Sequence, residues 1–327
     1  MNSRILGKTG LAVSEVGFGA WAIGDAWGEL VDEDVARQAL HAAIESGVNL
    51  IDTADVYGAG RSESLIGEVL KERTELIYVA TKMGRAAEWN DSYDTMAKAA
   101  EVAIDRLGVD ALDLVQLHCI PTETLKAGLA FENLEKLKTA GLIKHYGVSI
   151  ETIEEGLFCC ANTDAATLQV IFNIFRQRVI EDLFPAVKAA GIGVLARVPL
   201  ASGILTGKFD PDHQFHSEDH RQFNANGECF NVGETFGGVP FSTAVSFAKV
   251  VEQILALEAE EGTLAQKALR WVLDFPEVSS VIPGAKSPQQ AQDNVGAADL
   301  PALGSEAHAR LRKFYDEEID AAVRGVY

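Results

Sequence analysis

The sequence predicts an α/β fold, a (β/α)8 barrel in a single domain over residues 1–327. Eight short apolar runs alternate with amphipathic stretches, the pattern of repeated parallel βαβ units. The runs are continuously apolar, as at residues 76–80, which is typical of strands covered on both faces. A doubly wound open sheet is the alternative, but it usually has fewer strands. In addition, Gly17-Phe18-Gly19 lacks the third glycine of the dinucleotide-binding turn.

Each element has its own local signal. Thr152-x-x-Glu155 and Thr263-x-x-Gln266 are capping boxes, which satisfy free N–H groups where a helix begins. The predicted strands span residues 14–18, 49–53, 76–81, 113–117, 145–148, 167–171, 193–196 and 279–282. The amphipathic stretches that predict helices include residues 33–45, 62–70, 95–107, 125–138 and 183–189.

Residues 201–240 form the longest irregular segment, and loops of this length in a compact domain usually have a function, often as a lid. The segment contains His213, His216 and His220. No cysteine accompanies them in a metal-binding spacing, so we expect solvated loop histidines and no metal site.

Composition excludes several classes of function. The chain has 48 acidic and 28 basic residues, so its formal charge is −20, which disfavours nucleic acid and anionic membranes as partners. Its four cysteines are too few for a disulfide framework. The first residues lack the apolar stretch of a signal peptide, and no run is long enough for a membrane span. We therefore expect a cytoplasmic protein.

Polar side chains stand at the ends of three neighbouring predicted strands: Asp52 with Tyr57, then Lys82, then His118. In a parallel barrel these ends meet at one mouth. A tyrosine titrates near 10, and a lysine ammonium within hydrogen-bond reach lowers that pKa. Asp52 would hold Lys82, and a neutral His118 would orient a carbonyl oxygen. Each residue alone has a structural interpretation, such as a salt bridge or a packed aromatic, but together the four predict a proton-donating site.

These residues lie in motifs that resemble the successive motifs of the aldo-keto reductases: residues 52–58, Thr81-Lys82, Leu117-His118 and Gly147-Val148-Ser149. The resemblance covers essentially the whole chain. It implies a (β/α)8 barrel whose bottom is plugged by an N-terminal β-hairpin at residues 6–14. It also implies NADPH-dependent reduction of a small-molecule aldehyde or ketone, by a monomer or weak homo-oligomer.

The resemblance further implies two cofactor-binding segments. Residues 196–208 resemble the pyrophosphate loop, and residues 282–294 would hold the adenosine 2′-phosphate at Lys286 and Ser287, beside a helix N-terminus. Ser287-x-x-Gln290 is also a capping box, and both roles can hold together. We therefore expect NADP(H) rather than NAD(H). The residues expected to bind it are Gly19, Ala20, Trp21, Asp52, Ser149, Gln169, Arg197, Pro199, Leu200, Ala201, Gly203, Lys208, Pro283, Gly284, Lys286, Ser287, Gln290 and Asn294.

Two positions depart from the family pattern. Ile150 follows Ser149 where an asparagine is common, and Arg197 stands where a tyrosine or tryptophan usually stacks on the nicotinamide. A cation there should favour the reduced cofactor. Two other functions stay open: a barrel lyase that forms a Schiff base through Lys82, and an NADPH-binding regulatory subunit with little turnover. The expected walls of the substrate pocket are Trp21, Trp27, Tyr57, Trp89 or its neighbours in 84–92, and phenylalanines of residues 201–240.

Overall fold

The computed structural model describes residues 1–25, 28–258 and 261–327. Two strands, β1 (Ser3–Ile5) and β2 (Ala12–Ser14), pair as an antiparallel hairpin. Eight more strands form one parallel sheet in consecutive order: β3 (Phe18–Gly19), β4 (Leu50–Asp52), β5 (Tyr78–Met83), β6 (Leu112–His118), β7 (Ile143–Ser149), β8 (Thr167–Ile171), β9 (Gly193–Arg197) and β10 (Val278–Val281).

The two edges of this sheet meet. Val16 bridges Val281 and Gly19 bridges Gly284, both in the parallel sense, and the Gly17 N–H donates to the Val281 carbonyl at 2.8 Å. A Cβ at Gly19 would lie 2.6 Å from the Ile282 carbonyl oxygen, so this junction requires glycine. The sheet therefore closes on itself, which confirms the predicted barrel.

The hairpin lies under the barrel, as the family resemblance implied. Leu6 and Val13 are fully buried and pack on Leu50, Leu114 and Leu195 inside the barrel. The larger hydrophobic cluster lies between the sheet and the surrounding helices.

The predicted first strand at 14–18 begins too early, because the first barrel strand of the structure is Phe18–Gly19. Ser14 pairs with Ser3 in the hairpin, and its N–H donates to Asn49 Oδ1 at 2.6 Å, so it belongs to β2.

Helices cover the outside of the sheet, and both capping boxes are present at Thr152 and Thr263. One predicted helix, residues 125–138, is divided at Gly128, whose φ of 87° ends the first piece. The helices are α1 (Trp21–Gly24), α2 (Glu33–Glu45), α3 (Arg61–Glu72), α4 (Tyr93–Leu107), α5 (Thr122–Ala127), α6 (Leu129–Thr139), α7 (Ile153–Asn162), α8 (Val179–Asp182), α9 (Phe184–Ala190), α10 (His220–Phe223), α11 (Phe241–Glu258), α12 (Leu264–Leu273), α13 (Pro288–Val295) and α14 (Ser305–Phe314). Within the described ranges, no helix is both long and apolar enough to cross a membrane.

The segment 201–240 carries short helical turns, among them Ala201–Thr206 and Val232–Glu234. His213 and His216 are exposed, as predicted. The expectation that His220 is solvated is wrong, because its side chain is buried and packs on Trp21 with ring centroids 4.8 Å apart. In this part the chain folds back onto the barrel mouth.

Candidate active site

The period of two along each barrel strand positions the site. Successive side chains in a strand point to opposite faces, so Leu50 and Asp52 share the interior face of β4. Ala80 and Lys82 are likewise two residues apart in β5, and Leu114 and His118 are four apart, or two periods, in β6. The apolar members pack on the hairpin plug, which leaves the polar members two to four residues further on at the open end of the barrel.

Lys82 is the centre of the polar group. Its side chain is buried, and Nζ donates to Asp52 Oδ2 at 2.6 Å, to the Thr53 carbonyl at 2.8 Å and to the Tyr57 hydroxyl at 3.2 Å. Burial is the largest single influence on the pKa of Lys82 and lowers it, but the charges of Asp52 and Tyr57 and the hydrogen bonds to them together outweigh burial, so the net pKa is raised and the amine stays charged.

Asp52 is itself held by two amides. Its Oδ1 accepts from Gln169 Nε2 at 2.7 Å and from Gln116 Nε2 at 3.1 Å. Gln169 was expected only as a cofactor contact, and the structure adds this bond to Asp52. Gln116 was not assigned a role from the sequence, although its position two residues before His118 places it on the same interior face.

The expected direction of the pKa of Tyr57 is wrong. Lys82 does lower it, but burial is the larger influence and the Asp52 and Glu234 carboxylates add to it, so the net pKa is raised above 10. The phenol therefore stays protonated at neutral pH.

His118 lies edge-on to the Tyr57 ring, with centroids 5.9 Å apart. The pKa of His118 is held well below its ordinary value by burial, and then by the positive charges of Arg85, Lys82 and Arg197. Its buried Nδ1 has no hydrogen-bond partner among the described residues. The ring is therefore neutral at physiological pH, as expected.

A cavity of about 450 Å³ runs from this group along the barrel mouth. Four expected cofactor residues do not line it: Ala20, Ser149 and Ala201 are buried, and Ser287 caps α13. The expected residues that do line it are Gly19, Trp21, Asp52, Gln169, Arg197, Pro199, Leu200, Gly203, Lys208, Pro283, Gly284, Lys286, Gln290 and Asn294.

The loop after β9 has an unusual backbone on one side of this cavity. Val198, Ala201 and Ser202 all have positive φ, between 47° and 55°, in the left-handed region that non-glycine residues rarely adopt. Such strain is costly and clusters at functional sites. Loops with left-handed residues can aim backbone N–H groups into a concave surface that suits an anion.

Three cations line the far end of the cavity: Lys208, Arg221 and Lys286. Burial lowers the pKa of Lys286 to about 8, and the positive charges of Arg221 and Lys208 contribute. Arg221 was missed from the sequence. It is the only arginine in residues 201–240, a signal that could have found it, and Asp219 holds it through bonds of 2.6 and 2.9 Å.

Near Tyr57 and His118, four charged residues form a network. Glu234 Oε1 lies 2.6 Å from Arg85 and 3.2 Å from Arg197, and Arg85 also reaches Glu151 at 3.3 Å. Glu234 was missed because no sequence signal links it to residue 197. Its carboxylate offsets the charge of Arg197, which removes the physical basis for expecting Arg197 to favour the reduced cofactor.

Aromatic rings complete the mouth. Trp21 stacks on Tyr57 with centroids 6.0 Å apart and meets Phe230 edge-on at 5.9 Å. Trp89 is half-buried. Trp27, a predicted wall residue, lies outside the described residues.

Among the described residues, one group has ligand atoms close enough to hold a metal ion: Cys119, Glu151 and Glu234. Arg85 and Arg197 already contact the two carboxylates of that group. The three histidines of residues 201–240 do not form such a group in the part of the chain that the structure describes.

Two curated proteins that are similar to this chain match it over nearly its whole length. The uncharacterized oxidoreductase YqkF of Bacillus subtilis is 30% identical over 334 residues, which cover 99% of this chain and all of that protein. A probable voltage-gated potassium channel subunit beta of Arabidopsis thaliana is 28% identical over 319 residues, 92% of each chain.

Solved structures share the whole fold. The holo form of aldo-keto reductase AKR11C1 from Bacillus halodurans superposes with a TM-score of 0.79 at 26% identity, covering 100% of this chain and 98% of that one. An aldo/keto reductase from Klebsiella pneumoniae, solved with NADP and acetate, has a TM-score of 0.72 at 24% identity and covers 96% of each chain. The model of the Aldo/keto reductase family matches residues 15–316, nearly the full length. The chain belongs to the aldo/keto reductase family.

Proposed function

We propose that this chain reduces an aldehyde or ketone to the alcohol with NADPH, reversibly, with Tyr57 as the general acid. The observation that carries the proposal is the contact of Lys82 Nζ with both Asp52 and the Tyr57 hydroxyl, beside the neutral His118 ring at the mouth of a long cavity. Family membership supports oxidoreduction as the class of reaction.

The cavity fits a phosphorylated dinucleotide. Its wall extends from Asp52 and Tyr57, which both contact Lys82, to the three cations Lys208, Arg221 and Lys286. The chain as a whole carries a net charge of −20, so this group of cations is a local exception. Burial, and then the charges of Arg221 and Lys208, lower the pKa of Lys286 to about 8, so an anion bound at this cluster would stabilise the charged amine. The Lys286 N–H donates to Gln290 Oε1 at 2.8 Å, so the start of α13 is ordered beside this cluster. We assign Lys208, Arg221 and Lys286 to the phosphates of NADP(H).

When bound, NADPH supplies the hydride to the carbonyl carbon. Tyr57 donates its hydroxyl proton to the developing alkoxide, and its raised pKa keeps it protonated at neutral pH. Lys82 stabilises the phenolate left behind, and Asp52 holds Lys82 in position. The neutral His118 ring can bind the carbonyl oxygen without competing for the proton. The reverse reaction needs the phenolate, so alcohol oxidation should be favoured at alkaline pH.

The test is Tyr57→Phe, assayed by NADPH oxidation against a panel of carbonyl compounds with NADH run in parallel. We expect kcat to fall on the order of 10²–10⁴-fold with NADPH affinity nearly unchanged, because positioned acid catalysis contributes that much. Tyr93→Phe, on an exposed position of α4, is the matched control. Full turnover by Tyr57→Phe would remove Tyr57 from the mechanism.

A regulatory subunit with little turnover is the second candidate, favoured by the relative described as a channel subunit. NADPH binding without its oxidation by any compound of the panel would support that function. The Schiff-base lyase loses support, because Lys82 is held as a charged, fully hydrogen-bonded ammonium rather than a free amine. Trapping with borohydride in the presence of carbonyl compounds tests it directly.

We further propose that the chain works as a single domain in the cytoplasm, as a monomer or weak homo-oligomer. All four cysteines are free, which is typical of a reducing compartment. The net charge of −20 disfavours nucleic acid as a partner.

A further inference from the structure

We propose that Gln116 is a positioning residue for proton transfer: its amide holds the Asp52 carboxylate in the orientation that lets Lys82 reach the Tyr57 hydroxyl. This role rests on the proposed carbonyl reduction and adds one residue to its machinery. Gln116 is not among the described residues that line the cavity, and its Nε2 donates to Asp52. It therefore acts on the reaction through Asp52.

The barrel brings Gln116 to Asp52. Gln116 is the register partner of Lys82 on the neighbouring strand β5, and on its other side its partner on β7 is Gly147. Because Gly147 has no side chain, the interior beside Gln116 stays open to Gln169 from β8. Gln116 is 0% exposed, so its amide depends on protein partners for its hydrogen bonds.

The chemistry of the neighbours determines which way the Gln116 amide faces. A carboxylate only accepts hydrogen bonds, so Gln116 presents Nε2 to Asp52 Oδ1, at 3.1 Å. Its Oε1 then faces Gln169, whose Nε2 donates to it at 3.2 Å and to Asp52 Oδ1 at 2.7 Å. An amide donates and accepts at once without adding a charge, whereas a carboxylate only accepts and a thioether does not donate.

The contact between Lys82 and Tyr57 depends on how Asp52 is held. The Lys82 ammonium donates to Asp52 at 2.6 Å, to the Thr53 carbonyl at 2.8 Å and to the Tyr57 hydroxyl at 3.2 Å, which uses all three of its protons. The bond to Tyr57 is the longest, so it is the weakest of the three. Without Gln116, Asp52 Oδ1 keeps one partner instead of two. The carboxylate is then free to turn about its Cβ–Cγ bond, and the ammonium turns with it.

The first test is Gln116→Met, because methionine keeps the length of the side chain and removes its donor. The assay is reduction of 4-nitrobenzaldehyde with NADPH, or of the fastest compound of the panel if that aldehyde is not reduced. We expect kcat to fall on the order of 10-fold, which is less than for Tyr57→Phe, because the acid itself remains. Gln169 keeps its shorter bond to Asp52, so the dissociation constant of NADPH, from fluorescence titration, should stay within about 3-fold of wild type.

The matched control is Gln177→Met. Gln177 is equally buried, and its amide donates to the Ile174 backbone carbonyl at 2.9 Å, not to a side chain of the site. We expect kcat of this variant to stay close to that of wild type. An unchanged kcat in Gln116→Met, or an equal fall in both variants, overturns the role of Gln116.

Gln116→Glu gives a readout that a purely structural role would not move. The introduced carboxyl has the size of the amide, and when protonated it can donate to Asp52 and accept from Gln169 as the amide does. Two facing carboxyls share one proton, because both cannot easily ionise together. At pH 6 we expect this variant to be faster than Gln116→Met on the order of 10-fold, and to lose that advantage as the pH rises and the introduced carboxyl ionises. A rate at pH 6 no higher than that of Gln116→Met overturns the role of Gln116.

The comparison of these two variants removes the titration of the surrounding groups. The other charged or titrating residues that act on Lys82, Tyr57 or His118 are the same in both: Asp52, Arg85, Arg197 and Glu234. If Gln116→Met is as fast as wild type while Tyr57→Phe is slow, the proposed function stands and the role of Gln116 alone fails. If wild type oxidises NADPH with no compound of the panel, or Tyr57→Phe is as fast as wild type, the proposed function fails and the role of Gln116 fails with it.

Discussion

Glu234→Gln is the substitution whose effect the structure defines most sharply. The Glu234 carboxylate is buried between Arg85 at 2.6 Å and Arg197 at 3.2 Å, at the mouth of the barrel. Glutamine keeps the size of the side chain and removes its charge. Both guanidiniums then lose a buried partner, and breaking a buried ion pair from one side is strongly destabilising.

The size of the effect follows from the pKa of Glu234. Burial alone would raise it, but Arg197 and Arg85 outweigh burial and lower it from 4.5 to about 2. One pKa unit corresponds to about 1.4 kcal/mol, so the ionised carboxylate contributes roughly 3 kcal/mol to the free energy of unfolding. This agrees with the 3–5 kcal/mol typical of a broken buried pair.

The effect also has a defined pH dependence. Because the folded pKa is lowered, the stabilisation is fully present above pH 4.5, the unfolded value, and is lost as the pH falls toward 2. At pH 3 about half of it, roughly 1.4 kcal/mol, remains. The difference in stability between wild type and Glu234→Gln should therefore shrink as the pH falls.

Urea unfolding of wild type and variant at pH 7 and pH 3 measures both quantities. Glu218→Gln, exposed in the same segment, is the control and should lie within about 0.5 kcal/mol of wild type. A loss under about 1 kcal/mol at pH 7, or one that is the same at both pH values, would refute the reasoning.

Two further predictions concern Lys286, at the cofactor end of the cavity, and Gly233, the residue before Glu234. Lys286→Ala should remove the preference for NADPH over NADH, and in wild type NADPH affinity should fall as the pH rises through about 8, where the free Lys286 amine loses its proton. Titrations of both cofactors at pH 7 and 9.5 check this, and an intact preference or a flat profile contradicts it. Gly233→Ala should destabilise the chain by about 1–3 kcal/mol, because its Cβ would lie 2.3 Å from Nη1 and 2.9 Å from Cζ of Arg176, whose side chain is buried. Gly304→Ala, with nothing within 4 Å of its Cβ, is the control in the same unfolding assay.

The positions of the polar residues at the strand ends could be predicted from the sequence, because the alternation of side chains along a strand and the geometry of a parallel barrel together determine them. A strand's period of two places Lys82 and His118 on the interior face, and parallel strands bring those ends to one mouth. No detail of packing is needed for that conclusion. The same logic, applied to Gln116, would have found it.

The errors arose where contacts between distant segments decide the outcome. The sequence allows residues 14–18 as one strand, but pairing of Ser14 with Ser3 assigns that residue to the hairpin. From the sequence alone His220 is a polar residue in a loop, but in the folded protein its side chain packs on Trp21. The pKa of Tyr57 depends on burial, which no local pattern reports.

By itself, the sequence determined the barrel, its plug and the residues at the strand ends, because strand periodicity and the order of motifs are local properties. Only the tertiary structure decided the electrostatics of the mouth. Glu234 meets Arg85 across 149 positions of the chain, and Arg221 joins Lys208 and Lys286 in one cavity. Charge interactions depend on distance and burial in space, and those quantities exist only once the segment 201–240 has folded onto the barrel.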